Sequence, residues 1–325
     1  MSSWKLRFSM VATLAAIFGL TTLGFLVILT VAGVGLSIYT IGILVIVFNI
    51  VQWLLSPYLV GAMYKARELP ENENPKLHQI VSELSLKSKI SKPKLMLSQI
   101  PLPNAFAYGS PLTGNRVAVT QGLLNNLDEG EVEAVIGHEL GHLKHRDVQV
   151  MMVVSFLPAL FYYIGYSLML SGMFGGRDNR GDNNAIFGIA FMAFSWILTL
   201  FTLYLSRLRE YYADRHSALI VDNGAKKLST GLISIVKLSQ QSKQKKREGT
   251  NNSAFKALFI SNPDRAETEA QELYTSYYSN KEELLRETLA KEPTSSDRLL
   301  EILSTHPNIV KRLRALQKLT GKTEA

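Results

Sequence analysis

The sequence predicts a mainly helical chain, with four transmembrane helices joined to a cytosolic α+β domain that holds a small antiparallel sheet. Three observations lead there. Long uncharged apolar runs alternate with polar segments, two histidines are spaced to share one face of a helix, and short strand-like stretches are separated by turn residues.

The runs fix the membrane part. No Asp, Glu, Lys or Arg occurs from Phe8 to Tyr64, from Val148 to Gly176, or from Asn183 to Ser206. A helix needs about 20 apolar residues to cross the hydrocarbon core. The first run is long enough for two crossings and a turn, and each of the others fits one. The expected spans are about 10–31, 36–56, 150–172 and 185–206. Lys5 and Arg7 resemble the basic start of a cleaved leader, but a second apolar run follows with no charged break, which favours a retained anchor. The domain plan is a transmembrane hairpin over 1–64, a soluble segment over 65–147, a second hairpin over 148–206 and a second soluble segment over 207–325.

Charge gives the orientation. Lys65, Arg67, Lys144, Arg146, Arg207 and Arg209 flank spans on the side that also holds both termini. The positive-inside rule places that side in the cytosol. The chain is thus expected as a multi-pass protein of the cell membrane, with the lipid bilayer as a partner. Its net charge of +8 reads as membrane topology and not as nucleic-acid binding. There is no cysteine, which excludes disulfides, thiolate ligands and a cysteine nucleophile.

Four spans return the chain to its starting side, so both soluble segments can build one domain. Leu77, Ile80, Val81 and Leu84 give residues 74–89 helical spacing. Residues 93–99 read as a strand. Residues 104–111 and 115–121 read as two more, joined through Pro111 and Gly114. Asp128 with Glu131 three residues on is a capping pair that starts a helix running to about Lys144. The polar, basic stretch 240–252 reads as a loop.

That helix carries His138-Glu139-Leu140-Gly141-His142. Residues four apart lie on one helix face, so both imidazoles can reach one metal ion. Glu139, beside the first ligand, can work on a metal-activated water. Zinc usually takes three protein ligands at such a site. His145 lies about 10 Å along the axis from His138, too far to share an ion with it while the helix continues. His78 reads as an exposed helix residue. In Arg209-Glu-Tyr-Tyr-Ala-Asp214, Glu210 and Asp214 share a face. Glu210 can be the third ligand, and Asp214 can accept the free ring N–H of a ligand histidine. On spacing alone, Glu210 reads equally well as a solvent-facing charge flanking a span. His216 points to another face.

Asn104-Ala-Phe-Ala-Tyr-Gly109, His138-Glu-Leu-Gly-His-Leu-Lys-His-Arg-Asp147, Arg209-Glu-Tyr-Tyr-Ala-Asp214 and a late Thr305-His-Pro307 with Arg312 together closely resemble the HtpX family of membrane zinc endopeptidases. These are gluzincins related to the CAAX prenyl endopeptidases. The resemblance covers nearly the whole chain. It implies a zincin-like protease domain with one Zn2+ per chain, Glu210 as third ligand and Asp214 supporting a ligand histidine. It also implies a stress-related role, the cleavage of misfolded or damaged membrane proteins, with Glu139 as general base. His306 comes from the family's late motif as a candidate to stabilise the oxyanion, or else as a structural histidine beside Pro307. Arg312 is either a charge stabiliser or an ion-pair partner. Residues Asn104, Ala105 and Phe106 are candidates to hold substrate backbone as an edge strand. His142 precedes the third span by six residues and Glu210 follows the fourth by four. These offsets put the ion within roughly 10 Å of the membrane surface.

Overall fold

The computed structural model describes residues 38–174, 180–245, 281–292 and 294–323. The expected first span, 10–31, lies outside them. The chain order is α1 (Ile38–Met63), β1 (Ala66–Glu68), α2 (Pro75–Ser88), β2 (Lys94–Ser98), β3 (Ala105–Ser110), β4 (Gly114–Thr120), α3 (Gln121–Asn126), α4 (Glu129–Lys144), α5 (Asp147–Phe174), α6 (Arg180–Ile220), α7 (Gly224–Lys245), α8 (Lys281–Ala290), α9 (Ser295–Ile302) and α10 (Ile309–Thr323). By packing, the chain divides into two compact units, Met1–Trp53 with Gln149–Leu203 and Leu54–Val148 with Tyr204–Ala325.

Among the described residues, two helices are long and apolar enough to cross a membrane, Asp147–Met173 and Asn184–Ile220. They hold the expected third and fourth spans. The apolar part of α6 ends at Ser206, and the helix continues beyond it with Arg207, Arg209, Glu210, Asp214 and Arg215. The expected second span falls in α1. Within the first unit α5 and α6 meet through Phe161 and Phe194, whose rings are 4.9 Å apart, and through Ser195 Oγ, which donates to the Pro158 carbonyl at 2.7 Å.

The second unit is built around a four-stranded sheet of order β1-β2-β4-β3. It is mixed, which corrects the expected antiparallel sheet: β2 and β4 run parallel, with Leu95 opposite Val117 and Leu97 opposite Val119. The cause is burial. Val117, Ala118 and Val119 of β4 are fully buried, so β4 takes the centre, between β2 and its hairpin partner β3. That leaves β3 as an edge strand. Strand β1, short and mostly exposed, carries no apolar alternation that would reveal it in sequence.

One sheet face packs Leu95, Leu97, Val117 and Val119 against Val81 and Leu84 of α2 and Val132, Val135 and Ile136 of α4, with Leu228 and Leu232 of α7 and Leu313 of α10 completing the core. Each such side chain contributes roughly 1.5–3 kcal/mol on burial. The other face is smaller: Met96, Phe106, Tyr108 and Ala118 meet Tyr64 and Val60 of α1. The unit boundary therefore falls at Leu54, although the uncharged run continues to Tyr64, because the last turns of α1 pack on the sheet.

Helix starts follow their caps. Asp128 Oδ1 accepts from the Glu131 amide at 2.9 Å, and Glu131 Oε2 accepts from the Asp128 amide at 3.2 Å. At α2, Asn74 Oδ1 accepts from the Leu77 amide at 3.1 Å and Pro75 occupies the first turn. One boundary differs from expectation. Helix α7 runs to Lys245, so residues 240–245 are helical where the polar composition suggested a loop. The rest of that stretch lies outside the described residues.

Candidate metal centre

The centre forms where α4 crosses the polar end of α6. Gly137 and Gly141 lie one turn apart on α4, facing Ala213 and Ser217 of α6 and Val221 just beyond its end. A Cβ at Gly141 would come within 3.0 Å of the Ala213 Cα, and one at Gly137 within 3.1 Å of Ser217 Oγ. The two backbones approach this closely only because both positions lack side chains. Ser217 Oγ closes the crossing by donating to the Ala134 carbonyl at 2.6 Å. The crossing sets Glu210 opposite the histidine pair. Gly141→Val forces the helices apart, with an overpacking cost of about 1–3 kcal/mol. We expect a lower Tm together with weaker metal binding, measured by thermal unfolding and zinc titration. Wild-type values for both would show that the crossing is not tight.

Three ligand atoms converge there. Nε2 of His138 and Nε2 of His142 lie 3.2 Å apart. Glu210 Oε1 is 3.5 Å from His142 Nε2, and Glu210 Oε2 is 3.8 Å from His138 Nε2. His138 and Glu210 are buried and His142 is partly exposed. A tetrahedral zinc with bonds of about 2.0–2.2 Å places its ligand atoms roughly 3.3–3.5 Å apart. The donor set fits such an ion, and the partial exposure of His142 leaves one side open. Among the described residues, this is the group of His, Asp and Glu side chains whose atoms converge for a metal.

Each histidine ring faces a carboxylate of its own. An imidazole that offers Nε2 to a metal carries its proton on Nδ1. His142 Nδ1 donates to Asp147 Oδ2 at 2.6 Å, and His138 Nδ1 lies 3.0 Å from Asp214 Oδ1. Spacing made Asp214 a candidate and the family resemblance gave it this role, while neither pointed to Asp147. Between α4 and α5 the chain turns at Arg146, in the left-handed region with φ of 54°. This turn brings Asp147 back to His142. Arg209 also pairs with Asp147, and burial lowers the Arg209 pKa to about 10.

A fully buried arginine balances the centre. Arg312 Nη1 lies 3.0 Å from Glu210 Oε2, Arg312 Nε donates to Asp214 Oδ2 at 2.9 Å, and Nη2 donates to Asp214 Oδ1 at 2.6 Å. Burial works to raise the Glu210 pKa, but the charges of His306 and Arg312 outweigh it and hold the carboxyl well below its usual range. Asp214 is likewise lowered: burial opposes, and Arg312 prevails. His306 stands beside this group, its Nδ1 3.2 Å from Glu210 Oε2. Neither ring nitrogen of His306 has an aligned hydrogen-bond partner, and the same holds for Glu210 Oε2. A buried oxygen left so is suited to a cation.

Glu139 is also buried, and its Oε2 accepts from the Ala107 amide of β3 at 2.7 Å. That amide points away from β4, so Ala107 lies on the free edge of the sheet with its N–H held by the general-base candidate. Asn104 is fully buried and its amide donates to Thr120 Oγ1 at 2.9 Å. The Ala105 side chain lies in the main core, while Phe106 pairs with Ala118 and turns its ring into the cluster with Tyr64. The structure thus brings His138, Glu139, His142, Glu210, Asp214, His306 and Arg312 together, and adds Asp147 and the Ala107 amide. The other histidines lie elsewhere. His145 Nδ1 meets the Gly141 carbonyl, His216 Nε2 meets Ser88 Oγ, and the half-buried His78 holds the Leu69 carbonyl at 2.8 Å.

Comparisons with known proteins identify the family of the chain. Residues 71–320 match the model for peptidase family M48. The chain is 38% identical over 298 residues to a protease HtpX homolog of Thermoplasma acidophilum, covering 88% of this chain and 89% of that one. It is 36% identical over 323 residues to a protease HtpX homolog of Aeropyrum pernix, covering 94% and 98%. Among solved structures, the crystal structure of S. mikatae Ste24p is similar with a TM-score of 0.56 at 17% identity. That likeness covers 97% of this chain and 66% of the other, and shows a shared fold.

Proposed function

The chain belongs to peptidase family M48, and from that premise we propose that it is a multi-pass membrane endopeptidase using one zinc ion to cut misfolded or damaged membrane proteins. Its metalloendopeptidase class follows from the family. The zinc, the substrates, the four-span topology and the cytosolic placing of the site are our reading. One observation carries it: one ligand atom each from His138, His142 and Glu210 converges within 4.8 Å, with Glu139 next to them in sequence.

A zinc ion held there would lower the pKa of water and act as a Lewis acid toward a carbonyl. The residues of the chain do the rest. His138, His142 and Glu210 would hold the ion, with Asp214 and Asp147 beside the two rings to keep Nε2 toward it. Glu139 takes the proton of the attacking water and delivers it to the leaving amine, a general-base and then general-acid role. His306, whose Nε2 has no hydrogen-bond partner, is placed to donate to the developing oxyanion. The free edge of β3 holds substrate backbone extended.

The membrane reading rests on the apolar helices α5 and α6 and on the uncharged run from Phe8 to Tyr64. Basic residues at the span ends support the cytosolic orientation. The short helical distances from His142 and Glu210 to the neighbouring runs favour cleavage at loops and ends of membrane proteins. The test is cleavage of an unfolded protein by the detergent-purified chain. We expect a chelator to abolish it and added zinc to restore it. Activity that survives complete metal removal would overturn the proposal.

A further inference from the structure

The second unit carries an apolar surface of its own, apart from the metal centre. The last turns of α1 face the sheet with Val60 and Tyr64. Their opposite side shows Leu55, Tyr58, Leu59 and Met63, between 43% and 59% exposed. These positions recur at helical spacing and form one stripe. Beside the start of this stripe lies the tip of the β3–β4 hairpin, where Ser110 Oγ donates to the Leu54 carbonyl at 3.2 Å. Two residues on, Leu112 is 64% exposed.

Both components lack charge. No Asp, Glu, Lys or Arg occurs from Leu95 to Asn115, nor in α1 up to Tyr64, in a chain that is 19% charged overall. Exposed apolar surface of this extent marks an interaction site. Its continuity with the uncharged run identifies the occupant. The stripe is the direct extension of the helix that begins at Ile38, and Tyr58 has the amphipathic ring favoured at the headgroup level.

We propose that the β3–β4 tip and the outward face of the last turns of α1 contact lipid, with Leu112 dipping into the boundary between headgroups and acyl chains. This rests on the reading of the chain as a membrane protein. It assigns the hairpin a task in substrate delivery. Ala107 is three residues from Ser110, roughly 10 Å of extended strand. The free edge of β3 therefore rises from the bilayer to Glu139, and a chain leaving the membrane beside the hairpin is already next to the edge it must join.

The absence of cysteine allows single labels on the full chain in phosphatidylcholine vesicles. An environment-sensitive fluorophore is attached at Leu112→Cys, at Leu86→Cys as a control and at Phe201→Cys as a second control. Leu86 is 75% exposed but belongs to the polar helix α2, and Phe201 is 66% exposed within the apolar part of α6. Lipids carrying a spin label should quench positions 112 and 201 several-fold more than position 86. If position 201 is quenched and position 112 matches position 86, the inference fails while the membrane reading stands. If position 201 also escapes quenching, both fail. Protection of position 112 that follows protein concentration and not the spin-labelled lipid would assign the surface to a second copy and overturn the proposal. In activity, Leu112→Asp should lower cleavage of a membrane-anchored substrate and leave that of a soluble unfolded protein unchanged. Equal loss on both would count against the delivery role.

Discussion

Glu139→Gln should lower peptide cleavage by about 10²–10⁴-fold, the usual contribution of a positioned general base, while zinc binding stays at the wild-type level. The amide has nearly the shape of the carboxylate but cannot take a proton. Glu139 contributes no atom to the converging ligand set, so the ion should be retained. Its Oε2 accepts from the Ala107 amide at 2.7 Å, and the carbonyl oxygen of glutamine can accept the same bond. Loss of rate therefore reports on proton transfer and not on a disturbed edge strand. Steady-state cleavage with metal analysis on one preparation checks this. Equal rates for the two proteins would remove Glu139 from the mechanism.

Arg312→Leu should destabilise the metal-free protein by about 3–5 kcal/mol, the cost of leaving buried charge without its partner. Arg312 is 1% exposed and is shared between Glu210 and Asp214. Leucine keeps much of the packing but leaves two buried carboxylates facing each other. Their pKa values should then rise, Glu210 should hold a metal less readily, and Asp214 should lose its hold on His138. Arg312→Lys should fall between the two, since lysine supplies the charge without the planar fork. Thermal unfolding of the metal-free proteins measures the effect. A Tm for Arg312→Leu equal to that of wild type would show that the buried pair is not balanced by this residue.

Local periodicity made part of this site legible. The four-residue steps from His138 to His142 and from Glu210 to Asp214 each put two side chains on one helix face, and the Asp128–Glu131 pair marked where the first of those helices starts. Gly137 and Gly141 share the same spacing, but their use depends on the neighbour they face, which no local pattern records. Asp147 was hidden for a related reason. Five residues after His142, it reaches the ring only because Arg146 adopts a left-handed turn without being glycine. Arg312 and His306 reach the centre through packing of the C-terminal helices, and only the family resemblance had made them candidates, without their contacts. The sheet illustrates the same limit. Alternation and turn residues located β2, β3 and β4, but strand order follows from β4 being buried on both faces, and that depends on α1 and α4 covering opposite sides.

The central claim is that His138, His142 and Glu210 hold one metal ion. Its most direct measurement is zinc titration of the detergent-purified chain against a chromophoric chelator, wild type beside Glu210→Ala. Wild type should bind one zinc per chain. In Glu210→Ala the affinity should drop by more than about 100-fold, beyond the 10–100-fold typical of residues that only support a ligand, while the fold persists by circular dichroism. Undiminished affinity in a folded Glu210→Ala protein would contradict the assignment.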